Sequence, residues 1–113
     1  MFGLSSTNRF HLYRHPCDMR KSFDGLAGLV TNQLGRDPTS GDVFVFINRR
    51  RTHLKLLHWQ SGGFVLYYKR LEQGTFPPPQ MNDEGTALRW PQLVMMIEGV
   101  KVERSVQMPR YER

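Results

Sequence analysis

The sequence predicts an α+β fold, in which an antiparallel β-meander packs with one main amphipathic helix and a short C-terminal helix. Three stretches carry this prediction: a helical apolar period over 18–34, β-branched and aromatic runs over 43–70, and a compact apolar segment over 91–98. With 113 residues, 39% of them hydrophobic, the chain suits one domain with a modest core. We expect a single domain over 1–113, with its core at about 9–76 and 86–104, a proline-rich connector at 77–85 and a tail at 105–113.

The N-terminal part predicts a short strand and then a helix. Arg9–His15 alternates apolar and polar side chains and ends before Pro16, which disfavours continuation. From Asp18 the apolar spacing becomes helical. Asp18 is therefore the expected N-cap, and Gly35 is the expected left-handed residue that stops the helix.

The next segment predicts three strands in a meander: Val43–Ile47, His53–Trp59 and Phe64–Arg70. The first two are joined by a loop over 48–52, and the last two by a tight turn at or beside Ser61-Gly62. A turn centred on Ser61-Gly62 places three pairs opposite each other: Lys55 with Tyr68, His53 with Arg70, and Leu57 with Leu66. One face of the sheet then has an apolar end and a basic, aromatic end.

The C-terminal part predicts smaller elements. Thr86–Arg89 suits a short strand, and Pro91 suits the first turn of a helix that reaches Glu98. Val100–Val106 suits a last strand, and 107–113 suits a frayed basic tail.

The charge of the chain is concentrated in the meander. Sixteen Lys and Arg against ten Asp and Glu give a net charge of +6. Between Val43 and Leu71 there is no acidic residue, whereas six basic residues lie there and account for the whole surplus. This distribution favours a polyanion as the partner.

The arginine-rich turn Arg49-Arg50-Arg51 is the first candidate site. Guanidinium groups on a protruding hairpin bind phosphates, each in a bidentate manner. The plain alternative is a solvated turn that keeps a hydrophobic strand pair soluble. A second candidate is an anion site at the start of the helix, where Arg20 and Lys21 occupy positions that normally favour acidic side chains. Neutralisation of those cations by Asp24, one turn further on, is the simpler explanation.

Other chemistry has little support in the sequence. Metal-dependent strand transfer or nuclease chemistry needs gathered carboxylates, but the acidic residues occupy predicted caps, turns and exposed positions. The pairs His11/His15 and His53/His58 are weak metal-site candidates, and strand spacing places the second pair on opposite faces of its strand. Cys17 is the sole cysteine and has no partner for an intramolecular disulfide. We expect no cofactor and no metal. We also expect a soluble cytoplasmic protein, because there is no long apolar run and no secretory start.

Several motifs together resemble the small accessory protein, often labelled TnpB, of insertion sequence 66 family transposable elements. They are Asp18–Leu26 (Asp-Met-Arg-Lys-Ser-Phe-Asp-Gly-Leu), Gly41–Phe46 with its arginine-rich turn, Lys55–Trp59, Tyr67–Glu72, Gly74–Phe76 and, further on, Leu88–Gly99. The resemblance implies a bacterial, element-encoded protein that works beside a separate, larger transposase, which carries the strand-transfer chemistry. It supplies no catalytic or ligand residue, and 77–86 departs from the pattern.

The leading hypothesis is a non-catalytic accessory factor of DNA transposition that binds nucleic acid through the basic hairpin and contacts its transposase. The expected phosphate contacts are Arg49, Arg50, Arg51, Lys55, Lys69 and Arg70, supported by Arg20 and Lys21, with Tyr68 or Trp59 stacking on a base. Such contacts give affinity with little sequence choice. One alternative is a protein adaptor that docks the transposase through Met95 and Met96, or through a sheet edge, without touching DNA. A metal-dependent nuclease is a third, weaker alternative.

Overall fold

A computed structural model describes residues 4–77 and 87–98, which form a five-stranded sheet and two helices. The elements are β1 (Phe10–Leu12), α1 (Phe23–Asn32), β2 (Val43–Ile47), β3 (His53–Gln60), β4 (Gly63–Arg70), β5 (Ala87–Leu88) and α2 (Trp90–Ile97). The strand order is β4-β3-β2-β1-β5. The predicted α+β class, with a main helix and a short C-terminal helix, is confirmed.

The meander of β2, β3 and β4 has the predicted register. Ser61 and Gly62 form the tight turn with φ angles of 52° and 83°, the left-handed pair that a two-residue hairpin of this twist requires. Lys55 lies opposite Tyr68, His53 opposite Arg70, and Leu57 opposite Leu66. The turn residues therefore fix which side chains share each face.

The sheet continues beyond the meander through a strand that the sequence places less well. β1 is shorter than the predicted Arg9–His15 and pairs with β2 in parallel, with Phe10 beside Val43. Parallel neighbours need a crossover, and α1 lies in that connection. Because the two strands run the same way, their carboxyl ends meet at one end of the sheet.

The two faces of the sheet carry separate cores. Alternate residues of β2, such as Val43 and Val45, pack with the buried face of α2, and the intervening Phe44 and Phe46 pack with Leu26 and other residues of the α1 side. Every residue of β2 is buried. A strand covered on both faces explains why its sequence is continuously apolar rather than alternating.

The predicted start of α1 is wrong. The helix begins at Phe23 with Ser22 as N-cap, and Asp18 instead closes a turn in which its Oδ1 accepts the Arg20 backbone N–H at 2.9 Å. The reason is a buried lysine on β3. The Lys55 ammonium donates to the carbonyl oxygens of Met19 and Lys21 at 2.8 and 2.7 Å. These two oxygens therefore do not accept the N–H groups four residues further on, as a helix that starts at Asp18 would require.

The ends of the helices follow the sequence more closely. Gly35 has a φ of 64°, as the predicted left-handed stop requires, and the next amide, that of Arg36, turns back to the Val30 carbonyl. α2 starts one residue before Pro91, and neither described helix is long and apolar enough to cross a membrane. The predicted strand over 100–106, the tail, and nearly all of the proline-rich connector lie outside the described residues.

A buried histidine, His11, is the middle residue of β1. The His11 Nε2 is 2.9 Å from Asp42 Oδ2, and the ring stacks on Phe44 at 5.3 Å between centroids. A carboxylate only accepts, so Nε2 carries the proton. Nδ1 has no partner among the described residues, and it is a lone pair rather than an unsatisfied N–H. Burial lowers the pKa of His11 below its usual 6.5, Asp42 opposes that shift, and Arg36 and Arg9 add to it.

We expect Lys55→Met to lower the free energy of unfolding by about 2–3 kcal/mol, because it removes two charged hydrogen bonds and leaves two carbonyl groups without a donor. Urea unfolding followed by circular dichroism measures the change. Lys69→Met is the matched control, since Lys69 donates only one described bond, to the Ile97 carbonyl. Equal losses in the two variants would contradict the structural role of Lys55.

The stability of the protein should fall as the pH drops through 6.5. Below pH 6.5 the His11 imidazole binds a proton more readily in the unfolded chain than in the folded one. The contribution of His11 to the free energy of unfolding is therefore fully present above pH 6.5 and decreases as the pH falls below it. The free energy of unfolding, measured from about pH 8 to about pH 5, should show this slope, because histidine titrates in this range. His11→Gln should flatten it and the exposed His15→Gln should not; an unchanged slope in His11→Gln would rule out this origin.

Candidate nucleic-acid interface

The arginine turn, residues 48–52, is held by the side chain of its first residue. Asn48 Oδ1 accepts the backbone N–H groups of Thr52 and His53 at 2.9 and 3.0 Å. Its Nδ2 lies 3.2 Å from both the Thr52 hydroxyl oxygen and His53 Nδ1. The Asn48 side chain therefore supplies hydrogen bonds that the backbone of this five-residue loop does not form by itself.

The backbone of the turn is also tied to the core. The carbonyl of Arg51 accepts the N–H of Phe76, a fully buried residue, at 2.7 Å, and the carbonyl of Thr52 accepts the N–H of Leu71 at 2.9 Å. Arg51 adopts a φ of 59°, a conformation that costs energy for a residue with a side chain. These bonds hold that conformation, so the three arginine side chains project from a fixed loop.

The charges of the arginine turn have no ion-pair partner in the described part of the chain, whereas Arg20 and Arg70 are paired. Arg49, Arg50 and Arg51 are exposed, and none forms an ion pair with a described residue. Arg20 instead binds Asp18 at 2.7 Å, and its side-chain hydrogen bonds lower the pKa of Asp18 to about 2. Arg70 binds Glu72 at 2.7 Å. The turn is thus the strongest concentration of uncompensated positive charge among the predicted contacts.

Two predicted phosphate contacts, Lys55 and Lys69, form hydrogen bonds within the protein. Lys55 is only 5% exposed, and besides its two carbonyl bonds its ammonium lies 4.5 Å from the ring centroid of Tyr68. Lys69 is half-buried and faces α2, where its ammonium donates to the Ile97 carbonyl at 2.8 Å. Tyr68 is 53% exposed, so its outer surface is open although its inner surface covers Lys55. While these bonds are formed, neither ammonium is placed to contact an outside phosphate.

The remaining predicted residues divide between surface and core. Lys21 is exposed beside the turn that Lys55 holds, and it precedes α1 rather than lying in its first turn. Trp59 packs edge-on against Phe64, at 4.9 Å between ring centroids. Met95 is 58% exposed, but Met96 is 1% exposed and belongs to the core beneath α2. Met96 therefore does not fit the predicted partner contact.

A cleft of about 210 Å³ opens beside the arginine turn. Residues from two segments line it: Leu12, Tyr13, Arg14, His15 and Pro16 from the end of β1, and Ile47, Asn48, Arg49 and Arg51 from the end of β2 and the turn. None of these lining residues is acidic. Sequence reasoning missed Arg14 and His15, and only the parallel pairing of β1 with β2 could have indicated that they adjoin the arginines.

The basic residues gather at one end of the sheet because of strand direction. We call this the basic end: the carboxyl ends of β1, β2 and β4 and the amino end of β3. It holds Arg14, His15, Arg49, Arg50, Arg51, His53, Tyr68 and Arg70. A second depression, lined by His53, Tyr68 and Arg70, lies at the same end. An extended polyanion that contacts the turn would therefore meet Arg14 and the exposed Tyr68 ring within the same surface.

The described residues offer little for metal or thiol chemistry. No three His, Cys, Asp or Glu side chains within 4–77 and 87–98 are grouped closely enough to hold a metal ion. Cys17 is buried, and burial raises the pKa of its thiol, which opposes formation of the reactive thiolate.

Comparison with known proteins identifies a family. A family model described as IS66 Orf2 like protein matches residues 8–107. Two relatives come from Sinorhizobium fredii (strain NBRC 101917 / NGR234): uncharacterized protein y4jC, 31% identical over 96% of this chain and 93% of its own, and uncharacterized protein y4hO, 36% identical over 74% and 72%. No solved structure matches the chain.

We expect Asn48→Ala to loosen the arginine turn while leaving its charge intact. The change removes the acceptor for two amides and should cost about 1–2 kcal/mol of stability. It should also make the turn a faster site of tryptic cleavage, because trypsin needs a locally flexible chain beside arginine. Mass spectrometry of limited digests locates the cuts. Asn32→Ala, at the exposed end of α1, is the control; equal cleavage of both variants at residues 49–51 would argue against bracing by Asn48.

Proposed function

The chain belongs to the IS66 Orf2-like family and is a transposition-related accessory protein, and from this we propose that it binds DNA through the basic end of its sheet while a separate transposase performs the strand transfer. The proposal assigns no catalytic residue to this chain. Its task is to hold DNA where the transposase can act on it.

The single observation that supports this proposal most is the state of Arg49, Arg50 and Arg51. Their side chains are exposed and unpaired among the described residues, and they project from a loop that Asn48 and Phe76 hold in place. A fixed loop loses little conformational entropy when it binds. Each guanidinium group on such a loop can bind a backbone phosphate in a bidentate manner, and such contacts do not depend on the base sequence.

The electrostatic contribution to DNA binding depends on which cations can contact phosphates. Lys55 and Lys69 are bound to carbonyl groups, and Arg70 is bound to Glu72. Arg14 and the three arginines of the turn are left as the main contacts. Neutralising about four phosphates gives a slope of about −3.6 for the logarithm of the binding constant against the logarithm of salt concentration.

A protein adaptor is the second candidate, and the exposure of Met95 favours it. At 58% exposed, Met95 is the most exposed large hydrophobic side chain among the described residues. An adaptor would dock the transposase through this helix and would need no DNA. A complex with transposase that survives high salt, together with no DNA binding at low salt, would support this function over the first.

Replacing two arginines of the turn should weaken DNA binding. We expect Arg49→Ser with Arg50→Ser to reduce affinity for short duplex DNA about tenfold or more at low salt and to reduce the magnitude of the salt slope by about 1.8. The reason is the loss of two released counterions. Fluorescence anisotropy over a series of salt concentrations measures both quantities.

The matched control removes the same charge from the opposite end of the sheet. Arg9 and Arg36 are exposed and lie before the amino ends of β1 and β2. Arg9→Ser with Arg36→Ser should leave the salt slope close to that of the natural chain. If both double variants lose affinity to the same extent, binding depends on net charge alone and the arginine turn is not the contact surface.

A further inference from the structure

We propose that the cleft beside the arginine turn receives one unpaired nucleotide, so that the protein prefers DNA with a single-stranded segment over a continuous duplex. This proposal rests on the proposed DNA binding, and it adds the form of DNA that the site selects. The observation behind it is that arginine, apolar and aromatic residues together line this cleft.

The shape of the cleft is set by two backbone anchors. After β1 the chain stays beside β2, since the Tyr13 N–H donates to the Val45 carbonyl and the Cys17 N–H donates to the Ile47 carbonyl, both at 2.9 Å. Between these anchors, residues 14–16 form one wall, and the arginine turn forms the other. The cleft is thus bounded by segments that are tied to the sheet on both sides.

The size and lining of the cleft fit a small, flat group. Its volume of about 210 Å³ lies below the range of about 300–1,000 Å³ that is common for drug-sized ligands, which suits one nucleotide base. The buried side chains of Leu12 and Ile47 contribute apolar surface. Tyr13 also lines the cleft, and its ring packs against Phe46 at 5.8 Å and against the His15 ring at 5.5 Å between centroids.

The chemistry separates an unpaired base from a paired one. In a continuous duplex the flat faces of the bases are stacked on their neighbours, so they cannot lie against the lining of the cleft. In a single strand the base can leave the stack and lie against Tyr13 and the apolar lining, while Arg14, Arg49 and Arg51 hold the adjoining phosphates. An acidic peptide would use the arginines but would leave the apolar and aromatic lining unused.

The test compares three DNA probes with equal numbers of phosphates: a blunt duplex, a duplex with a thymidine overhang, and the same duplex with an abasic overhang. The natural chain should bind the thymidine overhang about fivefold or more tightly than the abasic one. Tyr13→Leu should abolish that ratio and leave binding to the blunt duplex unchanged. Arg14→Gln should weaken overhang binding more than duplex binding, and Arg36→Gln, at the far end, should alter neither.

The outcomes distinguish this inference from the proposed function. Equal affinity for the thymidine and abasic overhangs, with duplex binding intact, overturns the nucleotide cleft and leaves the proposed DNA binding standing. A preference for the base that survives Tyr13→Leu places base recognition elsewhere and also overturns it. Failure to bind any probe at low salt overturns the proposed function itself. Should Tyr13→Leu lose its fold by circular dichroism, Arg14→Gln decides, and equal weakening of overhang and duplex counts against the cleft.

Discussion

The parallel pairing of β1 with β2 is the constraint on which the basic end of the sheet depends. It brings the segment after Leu12 beside the segment after Ile47, two stretches separated by about three dozen residues of sequence. An antiparallel arrangement would have placed Arg14 at the opposite end, beside the loop before β2. With the parallel one, Arg14 and the arginine turn form facing walls of one cleft, and cations from distant parts of the chain lie on the same surface.

The buried ammonium of Lys55 shows why the composition of a segment is a poor measure of its surface charge. The acid-free meander carries the whole net charge of +6, yet Lys55 binds two carbonyl groups and Lys69 binds the last turn of α2. Burying a lysine is costly unless its ammonium is hydrogen-bonded. Here the bonds go to main-chain oxygens rather than to a carboxylate, so the charge shapes the entry into α1 instead of meeting an outside partner.

Short-range features of the sequence predict the strands and register of the meander, but they do not predict which segments form the candidate site. The Ser61-Gly62 turn and the alternation around it determine the register, and these are short-range features, so the cross-strand pairs were predicted correctly. The start of α1 was not, because it depends on Lys55, which is remote in sequence and binds main-chain carbonyls that no side-chain pattern reveals. Arg14 was missed for the related reason that strand order and direction are long-range. The exposure of Arg49 to Arg51 followed from the turn alone.

Mapping of amide chemical shifts during titration with a short DNA duplex that carries a single-stranded overhang tests the central claim most directly. We expect the largest changes on residues 13–15 and 48–53 and on the end of β4, and these changes should diminish as salt is raised. Shifts centred instead on the Ser61-Gly62 turn or on the loop before β2, at the other end of the same strands, would contradict it.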